Sequence, residues 1–177
     1  DTGAMLATCR CAIHPDTSAA TLHDQLAEQG TPLLLGVLDD LPAHQSRALA
    51  QDDSLATYAH KILKPEAQIN WTEDARVLDR LVRAFNPFPV CFSTLQGERV
   101  KIWQARPAST VSAAEPPGTI LRADQQGILV NCGSGQLSIQ RLQLPGGKQL
   151  DSGQLLNARS ELFAPGHSFE SPVSQHS

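Results

Sequence analysis

With 177 residues, 41% of them hydrophobic and only 5% aromatic, the chain has material for one sizeable core or two small ones, packed through Leu, Val, Ile and Ala. A net charge of −4 lacks the basic excess that marks most nucleic-acid binders. No apolar run approaches the roughly 18 residues that a membrane span needs, so the chain reads as soluble and cytoplasmic. Charge is unevenly spread: in residues 1–65 four cations, Arg10, Arg47, Lys61 and Lys64, face eight carboxylates, whereas residues 66–177 hold ten of each sign.

Met5 to Ile13 reads as a short strand closed by the turn His14-Pro15-Asp16. Thr17 or Ser18 then caps a helix with Ala19, Leu22 and Leu26 on one face, ending near Gly30. Pro32 opens a second helix carrying Leu34, Leu35, Leu38 and Leu41. Strand followed by helix is an α/β signature, and these leucines call for a sheet whose strands are expected upstream of Asp1. The alternation of Cys9 and Cys11 before His14 fits a strand with a terminal histidine better than a metal site, and the four cysteines match neither paired zinc ligands nor a disulfide framework. No metal is expected.

From Pro42 to Ala56 periodicity dissolves into a linker. Thr72 is expected to cap a helix with Ala75, Leu78, Leu81, Val82 and Phe85 on its apolar face, stopped by Asn86-Pro87. Trp71, just before the cap, reads as a hydrophobic staple. Short strands follow: Cys91–Leu95 and Arg99–Ala105 across Gln96-Gly97, Thr119–Ala123 and Ile128–Cys132 across residues 124–127, then Gln136–Leu144 after a glycine turn. Such spacing predicts a small β-barrel. Because Leu137 and Ile139 differ in parity from Leu142 and Leu144, the last strand needs a β-bulge near Gln140-Arg141. A helix over about residues 152–162 closes the domain, Gly146-Gly147-Lys148 is a turn rather than a phosphate loop, and residues 170–177 read as a frayed, disordered tail.

Four separated stretches, Asp1-Thr2-Gly3-Ala4-Met5, Thr57 to Ala67 with Ile69-Asn70-Trp71, Arg83 to Pro89, and Leu156-Asn157-Ala158-Arg159 with Pro165-Gly166, resemble methionyl-tRNA formyltransferases in order and spacing. The resemblance implies an α/β plus β architecture. Residues 1–42 would be the end of a Rossmann-like formyltransferase catalytic domain, 43–65 a linker, and 66–169 an OB-fold-like C-terminal tRNA-binding barrel with flanking helices. The implied reaction transfers a formyl group from 10-formyltetrahydrofolate to the amino group of methionyl initiator tRNA, by a monomer without membrane attachment.

Of the family's Asn, His and Asp, only the Asp has a counterpart, Asp1, so the chain alone is expected to be inactive. His14, His23 and His60 are not substitutes, and the folate-pocket residues are expected to lie mostly outside the chain. Ala4, Gln68, Asn70 and Phe88 depart from residues common in the family. Lys61 and Lys64 are implied phosphate contacts, against a reading as solvated lysines. In the barrel Arg99 and Lys101 are the principal candidates for a backbone-reading surface, with Arg106, Arg122, Arg141 and Lys148 beside them. Lys101 should face outward with Trp103, whose indole is expected to pack rather than stack on a base. Two other readings stand beside this one: a sugar-nucleotide formyltransferase, which Tyr58 to Ala67 disfavours, and a free-standing RNA-binding barrel, which the leucine-rich helices disfavour.

Overall fold

Residues 2–172 are described by the computed structural model. They form two compact units, divided between Lys61 and Ile62.

In the first unit, helix α1 (Ala19–Asp39) is capped by Ser18, whose Oγ accepts the Thr21 amide at 3.2 Å. It runs for 21 residues straight through the expected boundary at Gly30 and Pro32. Gly30 does not adopt the left-handed conformation that ends a helix, so Pro32 only removes one interior hydrogen bond. Helix α2 (Leu41–Ser46) follows at once, in the segment expected as linker, with Pro42 in its first turn and Asp40 accepting the Ala43 amide at 3.2 Å. The strand expected over Met5 to Ile13 is not formed. Met5 alone is paired, with Leu49 through hydrogen bonds of 2.8 and 3.0 Å, because an extended segment becomes a strand only where a neighbour takes up its backbone groups. The α/β character expected of residues 1–42 is therefore not displayed by this unit. Leu26, Leu34, Leu35 and Leu38 are exposed, and Val37 is the buried residue of α1.

The second unit contains helix α3 (Ala75–Ala84) and strands β1 (Cys91–Leu95), β2 (Glu98–Ser109), β3 (Ile120–Asp124), β4 (Gly127–Asn131), β5 (Gln136–Gln143) and β6 (Gln149–Asp151). Helix α4 (Ser152–Arg159) and strand β7 (Phe169–Glu170) complete it. The strands make one antiparallel sheet in the order β3-β4-β5-β2-β1-β7, with β6 on β5. Its two ends are joined by the segment before β7: the Ile120 amide donates to His167 O, Gly166 to Ile120 O, and Phe169 to Gly118 O, at 2.8–2.9 Å. The sheet is thus curled into a barrel-like form. Glu170, expected in the frayed tail, is paired with Thr94; residues 173–177 of that tail lie outside the described residues.

The bulge required by leucine parity is present. Ile102 pairs with Leu142 and Ala105 with Ile139, so Gln140 is the extra residue on β5, offset by Trp103 on β2, and Leu137, Ile139 and Leu142 are all fully buried. Helix α3 starts later than expected, at Asp74, whose Oδ1 accepts the Arg76 amide at 2.7 Å. Thr72 is not the cap because its amide and hydroxyl are both taken by Asn70 Oδ1, at 3.2 and 2.8 Å.

Trp71 is no staple at the helix entrance but the centre of the core, with no exposed surface. Its ring stacks on Phe169 at 5.3 Å between centroids, and its Nε1 donates to Ser93 Oγ at 3.1 Å. Its amide donates to Ser171 Oγ and its carbonyl accepts the Gly133 amide, at 3.0 and 2.9 Å. A Cβ on Gly133 would overlap the Thr72 carbonyl, so only glycine admits this approach.

Trp71→Ala is expected to lower unfolding free energy by about 3–5 kcal/mol, and Ser93→Ala, which strands the indole N–H, by about 1–3 kcal/mol, in urea titrations followed by Trp103 fluorescence. The Arg76 amide bonded to Asp74 holds that carboxyl below its usual 3.8. A folded-state value lowered in this way contributes stability above the ordinary pKa and loses it as pH falls through the folded one. Asp74→Ala should therefore lower the melting temperature at neutral pH, and the difference from the parent chain should shrink as acid protonates Asp74 below about pH 3.8.

Candidate functional site

Asp1 lies outside the described residues. Of the residues that follow it in sequence, Thr2 and Met5 line a crevice of about 290 Å³ with Gln51, Asp52, Asp53, Leu55 and Ala56. Gln51 Nε2 donates to Gly3 O at 2.7 Å, which fastens the Thr2-Gly3 backbone to the segment after Leu49. His14, His23 and His60 take no part in that crevice. Among the described residues no three His, Cys, Asp or Glu side chains are arranged to hold a metal ion.

Lys61 closes the first unit and is exposed. Lys64 opens a single 3-10 turn, Lys64–Ala67, in the second unit; Leu63 sets its start by donating its amide to Glu66 Oε1 at 2.6 Å. Immediately after this turn, Gln68 forms a parallel bridge with Phe92 and the Ile69 amide donates to Phe92 O at 2.9 Å.

Arg99 and Lys101 occupy the outward face of β2, alternating with fully buried Val100 and Ile102. With Gln143, Leu144, Pro145 and Gly146 they line a groove of about 150 Å³. Gln143 sets one wall by donating to Gly147 O at 2.8 Å while accepting from Trp103 Nε1 at 3.0 Å. The indole of Trp103 is therefore held by the protein, as its place on an apolar strand suggested.

The remaining arginines of the anticipated surface are engaged by carboxylates. Arg122 meets Asp124 at 2.8 Å and Arg141 meets Asp151 at 2.9 Å. Arg106 is 3.8 Å from buried Asp79, which also takes Arg83 Nε at 3.1 Å. Arg99 and Lys101 meet no carboxylate within 4 Å among the described residues, so the sheet's outward face concentrates its uncompensated charge there. One contact the sequence reading missed is Arg99 over the Phe92 ring, 3.5 Å from the centroid. The two-residue Gln96-Gly97 turn carried the signal, since it sets Leu95 opposite Glu98 and hence Phe92 opposite Lys101 and diagonal to Arg99.

A larger polar cleft of about 630 Å³ lies between the β1–β2 turn and the end of α4. Glu98 and Arg159 form an ion pair in it, and Gln96 bonds the ring of His167, whose Nδ1 is 3.0 Å from Leu162 O.

The chain belongs to the family of formyl transferase C-terminal domains, which it matches over residues 61–160. Over 94% of its length it is 49% identical to the methionyl-tRNA formyltransferase of Pseudomonas putida and 48% identical to that of Stutzerimonas stutzeri. It covers 53% and 52% of those two proteins, and so spans about half the length of the curated relatives it matches. The fold is shared with HypX from Aquifex aeolicus. One HypX variant superposes at a TM-score of 0.68 with 18% identity, covering 98% of this chain and 30% of that one. HypX in complex with tetrahydrofolic acid superposes at 0.65 with 17% identity, covering 88% and 27%. No helix among the described residues is long and apolar enough to cross a membrane.

Cysteine chemistry divides by unit. Burial pushes the Cys91 and Cys132 thiols up to about 12, whereas Cys9 is exposed and Cys11 half-buried. At about pH 8 a thiol reagent should label Cys9 and Cys11 in the folded chain, with the other two reacting only after denaturation.

Proposed function

We propose that this chain serves formyl transfer from 10-formyltetrahydrofolate to the amino group of methionyl initiator tRNA, its second unit being an OB-fold-like domain that binds the tRNA. The observation that carries the reading is near-50% identity to methionyl-tRNA formyltransferases over 94% of the chain, well beyond the span of the barrel family alone.

In the reaction the neutral α-amine attacks the formyl carbon, an oxyanion develops on the formyl oxygen, and the amine proton must be accepted as the bond to the folate nitrogen breaks. Asp1, in Asp1-Thr2-Gly3, is proposed as the carboxylate that orients and supports the proton acceptor. The other groups at the reacting centre are not assigned to residues of this chain, and alone it is proposed to be inactive. Lys61 and Lys64 are proposed to steer the acceptor end of the tRNA by its phosphates, and Arg99 and Lys101 to hold its backbone on the barrel. Such contacts read shape and charge rather than sequence, and they suit a net-acidic protein because local clusters of uncompensated cations, such as Arg99 with Lys101, can act where the total charge does not.

The direct test is a chimera in which this chain replaces the matching half of the Pseudomonas putida enzyme. It should formylate methionyl initiator tRNA, and Asp1→Asn within it should cut kcat by roughly 100-fold or more. Activity confined to an amino-sugar nucleotide would assign the chain to the sugar-nucleotide reading instead. In tRNA binding by the chain itself, Lys64→Ala and Lys101→Ala should each weaken affinity and lower the slope of log K against log salt by roughly one unit.

A further inference from the structure

Phe92 is held more firmly than an outward-facing residue usually is. Its backbone pairs with Lys101 on one side and is bridged by Gln68 on the other, and its half-buried ring packs against the core cluster. Arg99, its diagonal neighbour across the hairpin, lays its guanidinium over that ring, and the same arginine lines the groove with Lys101 and Gln143. A guanidinium stacked on an aromatic face keeps its N–H edge free in one plane, the geometry that suits two oxygens of one phosphate. Ordering the long side chain before binding also removes an entropic cost that would otherwise fall on the complex.

We infer that Phe92 is a positioning residue for RNA: it holds the Arg99 guanidinium flat at the edge of the groove, ready for bidentate contact with a backbone phosphate, while Lys101 supplies a point charge beside it. The inference rests on the barrel's binding tRNA as proposed above, and adds that Phe92 acts only through Arg99.

A double-mutant cycle on the 177-residue chain, with an initiator tRNA transcript as probe, tests it. Arg99→Ala should weaken binding about 10-fold and lower the salt slope by roughly one unit. Phe92→Leu, with the same charge count, should weaken binding about 2–5-fold and leave the slope alone. The double variant should bind no more weakly than Arg99→Ala, and Phe92→Tyr, which keeps the ring, should bind like the parent. Arg99→Lys leaves the core untouched and stands independent of whether Phe92→Leu folds; it should keep the slope and lose affinity. Additive effects of Phe92→Leu and Arg99→Ala, parental affinity in Phe92→Leu, or parental affinity in Arg99→Lys would each overturn the inference. If Arg99→Ala itself binds like the parent, the tRNA-binding role given to this face falls with it.

Discussion

The packing of Trp71 is the constraint on which the second unit depends. The fully buried indole of Trp71 links the segment before α3 to β1 through Ser93 and to β7 through the stack on Phe169, while the residue's backbone carbonyl takes the Gly133 amide of the loop after β4. These attachments fall where the sheet closes on itself, because Gly118, whose amide and carbonyl bond Asn131 and Phe169, lies against the same ring. A Cβ at Gly118 would approach the Phe169 carbonyl to 2.5 Å, so glycine is required there by close approach as well as by its φ of 93°. Loss of the indole would open both the core and the seam between the sheet's ends.

From that anchor the rest of the surface follows. The run from Ile69 to Trp71 is fixed against β1, which places Gln68 beside Phe92. The Gln96-Gly97 turn fixes the register, and the register sets Phe92, Arg99 and Lys101 on one outward face. Carboxylates at Asp79, Asp124 and Asp151 meanwhile draw Arg106, Arg122 and Arg141 into the protein's own ion pairs. A chain with net charge −4 can thereby present a local positive face, which its total charge conceals.

Much of the barrel was legible because its signals are local. Alternating burial, glycine turns and the parity conflict in β5 each follow from the two-residue period of a strand, and they located β1, β3, β4 and β5 to within a residue or two. What escaped was set by distant partners. Strand β6 has three residues and β7 two, too short for periodicity, and they exist because Arg141 to Gln143, and Thr94 and Leu95, offer them hydrogen bonds. Strand β2 continues through Pro107, which pairs with Leu137 although a proline cannot donate to a ladder, so the sequence seemed to stop at Ala105. Gly30 and Pro32 misread α1 as two helices, since neither residue breaks a helix unless the backbone also turns. Of the proposed site, the residue types and their outward direction on β2 were readable. Which arginines are already paired depended on side-chain contacts between elements, which no single stretch of sequence displays.

We propose that tRNA is held by the barrel face carrying Arg99 and Lys101 and by the lysines that precede the barrel in sequence, Lys61 and Lys64. Lysine acetylation footprinting, with and without initiator tRNA, tests it most directly, since the chain has only Lys61, Lys64, Lys101 and Lys148. Bound tRNA should slow acetylation of Lys61, Lys64 and Lys101 in a saturable, salt-sensitive manner. Unchanged rates at Lys64 and Lys101 under conditions where tRNA is bound would contradict it.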